Sequence, residues 1–145
     1  MMYKDIWNGT QDIIGNSKTK KFTVDGYFQY NNITFYIPAL YKFENHIILE
    51  LFSKNNHENI WILVIKEMHV NGQVILQPHS AVSYFNTPAR KWRTEIIAHS
   101  TKFGFTESDS FFLQRTLFDT KMNFENVSSL DFIIGETLIT NVSKA

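Results

Sequence analysis

The stretch that decides the fold covers residues 60–76 and reads IWILVIKEMHVNGQVIL. Its first six residues form the most apolar run in the chain. Their β-branched and aromatic side chains favour a central strand that continues to Val70, although length alone leaves a short buried helix open. Asn71-Gly72 then separates two apolar runs, and a type I′ turn needs positive φ at both of its central residues. The sequence therefore predicts a β-hairpin around this turn.

Strand patterns also occur on both sides of this hairpin. The run from Phe22 to Ile37 is broken by Asn31-Asn32, which predicts a second hairpin. Pro38 removes a backbone donor and predicts a sheet edge or a strand end. The first fourteen residues are the only plausible helical region, and Asn8-Gly9 interrupts it. Further strands are predicted at residues 46–52, 81–85, 92–98, 111–118, 130–134 and 137–139, with a bulge at Gly135.

Together these patterns predict one domain, residues 1–145, with an immunoglobulin-like antiparallel β-sandwich fold. We expect about seven to nine strands, and a short N-terminal helix is the only helix that the pattern allows. The chain has 145 residues, enough for one core without disulfide bonds. The predicted core consists of Ile47, Leu49, Leu51, Trp61, Leu63, Ile65, Ile96, Phe112, Phe132 and Ile134.

Composition excludes several classes of protein. The chain has no cysteine, which excludes disulfide frameworks, thiolate zinc sites and cysteine nucleophiles. Fourteen basic residues balance fourteen acidic ones, whereas an electrostatic nucleic-acid or membrane binder normally carries a positive surplus. The 43% hydrophobic content excludes a disordered chain. We therefore expect a globular domain that does not bind nucleic acid.

Targeting signals are weak. No apolar stretch is long enough for a transmembrane helix, and the first residues do not resemble a signal peptide. If Met1 is the native start, we expect a cytoplasmic protein; if a leader was removed, we expect an extracytoplasmic one. The glycosylation sequons at Asn8, Asn32, Asn126 and Asn141 fit an asparagine-rich composition without further meaning.

No motif indicates catalysis, a metal or a cofactor. The five histidines lack the spacing of metal ligands, and the chain has neither a nucleophile elbow nor a phosphate-binding glycine loop. Glu50, Glu67 and Glu95 lie in predicted strands and are the carboxylates that a glycoside hydrolase would use. A solvated strand face explains them more simply. We therefore predict that the protein is not an enzyme and has no cofactor.

The aromatic residues of the first hairpin form the main candidate surface. Neighbouring aromatic side chains on a strand point to opposite faces, so one of each pair leaves the core. Tyr27, Tyr30 and Tyr36, together with Tyr41, would then form an exposed patch of the kind that contacts a partner. The alternative is burial under the N-terminal segment, with Ile6, Trp7, Ile13 and Ile14 as the cover.

Two basic clusters offer a second candidate site. They are Lys18-Thr19-Lys20-Lys21 and Arg90-Lys91-Trp92-Arg93. In the second cluster, Trp92 would stack on a sugar or small ligand while Arg90 and Arg93 contact its polar groups. The structural alternative is that Trp92 enters the core at the start of a strand while its neighbours face water.

About half of the chain, from Ile47 to Asp119, resembles bacterial telokin-like domains with an immunoglobulin fold. The matching features are a polar turn, a strand and structural motifs: residues 54–58, residues 60–70, Val70-Asn71-Gly72, residues 87–91 and Phe118-Asp119. Members are typically surface lipoproteins or secreted modules without known catalysis, so the resemblance implies fold and not a site. This chain departs from the pattern in lacking a lipobox cysteine and in having Ala89 where glycine is common.

From these observations we expect a non-enzymatic interaction module. It would use an exposed strand face or edge to contact a protein partner or a second copy of itself as a homo-oligomer. The alternative is a carbohydrate- or small-ligand-binding sandwich that uses Trp92 with Arg90 and Arg93.

Overall fold

The computed structural model describes residues 12–54, 63–76, 78–85, 111–139 and 143–144. These residues form two antiparallel sheets, and the helical part of the described chain is limited to residues 12–14. The all-β sandwich prediction is therefore confirmed. Ten strands occur in the described ranges, of which eight have at least four residues. The finer immunoglobulin-like assignment stays a prediction.

The strands are numbered in chain order. They are β1 (Lys20–Tyr30), β2 (Ile33–Phe43), β3 (His46–Lys54), β4 (Ile65–Val70), β5 (Gln73–Leu76), β6 (Pro78–Phe85), β7 (Phe111–Asp119), β8 (Leu130–Ile134), β9 (Thr137–Ile139) and β10 (Ser143–Lys144). The six-stranded sheet has the order β10-β1-β2-β3-β7-β6, and the four-stranded sheet has the order β5-β4-β8-β9. Predicted strand 92–98 lies outside the described residues.

The main core lies between the two sheets. Strands of the six-stranded sheet contribute residues such as Phe28 and Leu49, and strands of the four-stranded sheet contribute residues such as Met68 and Phe132. The rings of Phe28 and Phe132 meet edge to face at 4.9 Å and connect the two layers. Seven predicted core residues are confirmed: Ile47, Leu49, Leu51, Leu63, Ile65, Phe132 and Ile134. Trp61, Ile96 and the side chain of Phe112 lie outside the described residues.

Turn chemistry was predicted well from local sequence. Asn31 and Asn32 have φ values of 51° and 62°, and Asn71 and Gly72 have values of 54° and 82°. Both pairs therefore form the predicted two-residue hairpin turns. The predicted bulge at Gly135 is wrong. This glycine has a φ of 60° and opens the two-residue turn between β8 and β9, since Ile134 pairs with Thr137 across it.

The prediction that Pro38 marks an edge or a strand end is also wrong. Pro38 lies inside β2, which pairs with β1 on one side and β3 on the other. The register shifts beside it in both pairings, between Thr23 and Gly26 and between Tyr36 and Leu40. A bulge accommodates the missing donor because the ladder is already interrupted there.

This irregularity changes which face the residues of β2 occupy. Ile37 and Leu40, three positions apart, both belong to the main core, whereas Ala39 and Tyr41 belong to a second cluster with Ile48. We call the face that carries this second cluster the back face of the six-stranded sheet. Strict alternation would have placed Ile37 and Leu40 on opposite faces.

A buried amide extends the core beyond the strands. Gln114 of β7 accepts a hydrogen bond from the backbone N–H of Leu63 at 2.7 Å and donates one to its carbonyl at 2.9 Å. Its Nε2 also donates to Thr116 Oγ1 at 3.0 Å. Gln114 thus supplies the two hydrogen bonds that a neighbouring strand would give to Leu63, just before β4 begins.

The connection between β7 and β8 is anchored by Asn71. Its Oδ1 accepts from the backbone N–H groups of Ser128 and Ser129 at 2.7 and 3.2 Å, and from Ser128 Oγ at 2.9 Å. Its Nδ2 donates to the carbonyl of Asn126 at 2.7 Å. Asn71 therefore serves both as a turn residue and as a clamp on residues 126–129.

We expect Asn71→Gly to lower the free energy of unfolding by about 1–3 kcal/mol, because the turn conformation is kept while the clamp is lost. Asn71→Ala should cost about 1 kcal/mol more, since alanine is strained at positive φ. Urea unfolding measures both changes. Asn32→Gly is the matched control, because Asn32 also has positive φ but has no side-chain hydrogen bond within the described chain. Equal losses in Asn71→Gly and Asn32→Gly would contradict the clamp.

Gln114→Met should cost about 2–4 kcal/mol, because it leaves the buried N–H and carbonyl of Leu63 without their partners. Thr116→Val removes only the second acceptor of Gln114 Nε2 and keeps both bonds to Leu63, so it should cost about 1 kcal/mol or less. Chemical denaturation of the two variants compares these losses. A Thr116→Val loss as large as that of Gln114→Met would show that the Leu63 bonds are not the main contribution.

Candidate functional site

The four tyrosines predicted to form one exposed patch lie on different faces. Tyr36 and Tyr41 are 1% and 8% exposed, so they are buried in this chain. Tyr36 donates its hydroxyl hydrogen bond to Asp25 Oδ1 at 2.8 Å. Tyr30 is partly buried against the main core, and half-buried Tyr27 pairs with Tyr36 across β1 and β2. The expectation of a continuous exposed tyrosine patch is therefore wrong for Tyr36 and Tyr41.

The back face is covered at Tyr41 by the N-terminal segment. Ile13 and Ile14 pack against the cluster that contains Tyr41. Within the described residues, this contact agrees with the alternative in which the N-terminal segment covers the aromatic residues of the first hairpin. Ile6 and Trp7, the other expected cover residues, lie outside them.

The back face also carries a buried ion pair. Glu50 and Arg115 are directly paired across β3 and β7, and Arg115 Nε donates to Glu50 Oε2 at 2.9 Å. Their side chains are only 9% and 3% exposed. Such a pair keeps its charges only when both partners are present, because either charge alone would be desolvated. Glu50 is thus committed to a structural contact.

The carboxylates considered for hydrolysis are not brought together. Glu50 lies on the back face of the six-stranded sheet, whereas Glu67 lies on β4 of the four-stranded sheet beside His69, with an Oε1–Nε2 distance of 2.5 Å. Glu95 lies outside the described residues. Among the residues that the structure describes, no group of three or more histidine, aspartate or glutamate side chains could hold a metal ion.

The four-stranded sheet has a partly apolar surface on the side away from the core. We call this surface the outer face. In the described strands it carries Glu67, His69, Val74, Asp131, Ile133 and Leu138. Val74 on β5 is 50% exposed and Leu138 on β9 is 56% exposed. Val64, just before β4, is 60% exposed. Large exposed hydrophobic side chains on one sheet mark a candidate contact surface.

Charged groups occupy the centre of the outer face. His69 on β4 is paired with Val74 on one side and with Asp131 on the other. Glu67 contacts His69 from the same strand. The face therefore has two acidic side chains, one histidine and Ile133 on the two middle strands, β4 and β8, and apolar side chains on the two outer strands, β5 and β9.

Arg90, Trp92 and Arg93, the predicted carbohydrate-contacting residues, lie outside the described residues. The sugar-binding alternative stays a prediction. Sequence reasoning also missed the outer face. The signal in the sequence is an alternation in which Val74, Ile133 and Leu138 are out of phase with the core residues Ile75, Phe132 and Ile134. This alternation identifies a solvent-facing side only when the opposite side is known to be buried.

Comparison of the chain with protein-family models, with curated proteins and with solved structures finds no match. In the part of the chain that the structure describes, no helix is both long enough and apolar enough to cross a membrane.

We expect Arg115→Met to lower the free energy of unfolding by about 3–5 kcal/mol, because it removes the guanidinium group that neutralises the buried Glu50 carboxylate. The matched control is the more exposed pair of His46 and Asp119, whose side chains are 37% and 54% exposed. His46→Gln should cost less than about 1 kcal/mol. Urea unfolding at neutral pH measures both, and a loss for Arg115→Met as small as the control's would contradict a structural role for the buried pair.

Proposed function

We propose that this protein is a non-enzymatic interaction module that contacts a protein partner, or a second copy of itself, through the outer face and edges of its four-stranded sheet. The observation that carries the proposal is the exposure of Val64, Val74 and Leu138, which belong to this sheet or directly adjoin it. Large apolar side chains exposed on one sheet are a usual mark of a contact surface.

The charges of the outer face distinguish a partner from a second copy. Two copies placed face to face would bring Glu67 and Asp131 of each near the same carboxylates of the other, which opposes association. A different protein with basic groups at the centre of its surface would complement them. The face itself therefore favours a basic partner over self-association.

The edge strands of the four-stranded sheet, in contrast, favour self-association. Within the described chain, β5 pairs only with β4, and β9 pairs only with β8, so both outer strands have one side without a strand neighbour. A strand of another molecule can add to such an edge through backbone hydrogen bonds, which keeps the carboxylates of the two outer faces apart, and a lysine on the edge strand opposes such pairing. Homo-oligomers of this protein would therefore form edge to edge.

The immunoglobulin-like assignment is part of the proposal. It is supported by two antiparallel sheets, by the tight turn after Val70 and by the aspartate at which β7 ends, Asp119. These features match the motifs of the bacterial telokin-like domains. The segment 87–91, which carries the third matching motif, lies outside the described residues.

Val74→Lys and Leu138→Lys should weaken association, because each places a charge on an apolar contact without disturbing the core. Light scattering coupled to size-exclusion chromatography, over a hundredfold range of protein concentration, measures self-association. For a partner, affinity capture with purified wild-type and variant proteins measures whether the same protein is retained. We expect both variants to lose the oligomer or the partner.

Gln29→Lys is the control, because it adds the same charge at an exposed position of the other sheet. It should keep whatever the wild type binds. A wild-type protein that is monomeric at every concentration would remove the self-association version. Retention of the same partners and oligomeric state by Val74→Lys and Leu138→Lys would remove the proposal as a whole.

A further inference from the structure

A cavity with three lysines opens where β1 begins and β2 ends, next to the connection between β7 and β8. Its volume is about 520 Å³. We call it the lysine cavity. It is lined by Lys18, Lys20, Lys42, Glu44, Asn123, Phe124 and Glu125.

Two of these lysines oppose each other in the sheet. Lys20 on β1 and Lys42 on β2 are directly paired across the two strands. Like charges at directly opposed positions repel and destabilise a sheet. A negatively charged group between them would convert this repulsion into two favourable contacts.

Lys42 is also poorly compensated. The residue is only 9% exposed, and its ammonium group donates to the backbone carbonyl of Glu44, its one partner within the described chain. Burial, together with the charge of Lys20, lowers the pKa of Lys42 below its usual 10.5. A buried charge normally has an ionic partner or a full set of hydrogen bonds, since desolvation is otherwise costly.

The carboxylates at the cavity do not supply that partner. Glu44 and Glu125 line the cavity and are exposed, and within the described residues neither forms an ion pair with Lys18, Lys20 or Lys42. Within the described chain no carboxylate therefore pairs with these lysines, and an anionic ligand would supply that partner.

Local hydrogen bonds hold the third lysine at the rim. Asn16 Oδ1 accepts from the backbone N–H of Lys18 at 2.8 Å, and the carbonyl of Asn16 accepts from the N–H of Thr19 at 3.1 Å. The Thr19 hydroxyl donates to the carbonyl of Ile13 at 2.5 Å. The backbone before β1 is thus fixed, and Lys18 lies next to Lys20 at the same opening.

One wall of the cavity is aromatic. Phe124 packs on Phe22 with ring centroids 4.7 Å apart, and it is partly buried against the main core. Phe124 belongs to the connection between β7 and β8. At the start of this connection the N–H of Thr120 donates to the carbonyl of Asn45 at 2.8 Å, and at its end the Asn71 clamp holds residues 126–129. Phe124 therefore offers a positioned ring edge or face to a ligand.

We propose that the lysine cavity binds a small organic phosphate, with the phosphate between Lys20 and Lys42 and the organic group against Phe124. A phosphate monoester carries nearly two negative charges at neutral pH and three acceptor oxygens, so it can pair with both lysines at once. A carboxylate carries one charge and would leave one ammonium uncompensated. The cavity volume exceeds what a phosphate alone would fill, which leaves space for the organic group.

Isothermal titration calorimetry with phenyl phosphate and with inorganic phosphate, at constant ionic strength, tests the proposal. Lys20→Met and Lys42→Met should weaken the binding of both probes about tenfold or more, the loss expected from one charge-assisted hydrogen bond. Phe124→Leu should weaken phenyl phosphate only. Glu125→Gln should tighten both, because it removes a negative charge from the lining of the cavity.

Lys66→Met is the matched control, since Lys66 is an exposed lysine on β4 of the other sheet. It should bind both probes as the wild type does, and so should Val74→Lys. No heat of binding for either probe at millimolar concentration, or unchanged binding by Lys42→Met, would overturn the proposal. Equal weakening by Lys66→Met would show general screening and would also overturn it.

A second measurement uses the wild-type protein, so its result does not depend on whether the lysine substitutions alter the fold. Because the folded state holds the proton of Lys42 less tightly than the unfolded state, stability should rise with pH from the lowered pKa up to about 10.5. The charged groups beside it are Lys18, Lys20, Glu44 and Glu125. Saturating phenyl phosphate should abolish this rise in the wild type, because a bound anion restores the proton affinity. A rise that persists unchanged would contradict binding next to Lys42.

Vesicles containing phosphatidic acid separate a lipid phosphate from a free one. The proposal commits to a small molecule, so phenyl phosphate should bind in solution and co-sedimentation with the vesicles should not exceed that with neutral vesicles. Binding to the vesicles without binding to phenyl phosphate would overturn it.

Discussion

The face change at Pro38 is the constraint on which the two faces of β2 and the lysine cavity depend. In a regular strand, residues that differ by an odd number point to opposite faces. Across Pro38 this rule reverses, so that Tyr36 and Tyr41, five positions apart, both lie on the back face, while Leu40 joins Ile37 in the core. The pairing of β2 with β1 and its pairing with β3 both shift register at this level.

The same irregularity brings the two lysines of the cavity together. The hairpin starts with Tyr30 opposite Ile33, and that register continued along the strands would place Lys42 opposite Lys21. The shift instead places Lys42 opposite Lys20, on the side where Phe22 and Leu40 point to the core. A like-charge pair at the rim of a core is unfavourable unless an opposite charge binds between the two ammonium groups. For this reason we consider the lysine pair a stronger candidate for an anion site than a surface cluster of the same composition.

The sequence predicted those features that depend on a few neighbouring residues. Asparagine and glycine at positive φ determine the turns at Asn31-Asn32 and Asn71-Gly72, and strict alternation on β3 and β8 places the core residues. The sequence prediction failed at Pro38, because the register shift there involves the pairings of β2 with two other strands, β1 and β3. It also could not reveal the lysine pair or the outer face, since both are defined by pairings between strands that are distant in sequence or by the choice of the buried face.

The two sheets differ in how far the face away from the main core is buried. An antiparallel sheet can leave one face in water, yet every residue from Ile47 to Ser53 on β3 is buried, including the charged Glu50. Burying an ion pair gains little stability over apolar packing, so the back face is closed at a cost. The four-stranded sheet shows the opposite pattern, with apolar Val74 and Leu138 left in solvent. In the described chain β3 of the larger sheet is therefore buried on both faces, whereas the smaller sheet leaves apolar side chains in solvent, and this difference is the basis of the proposed contact surface.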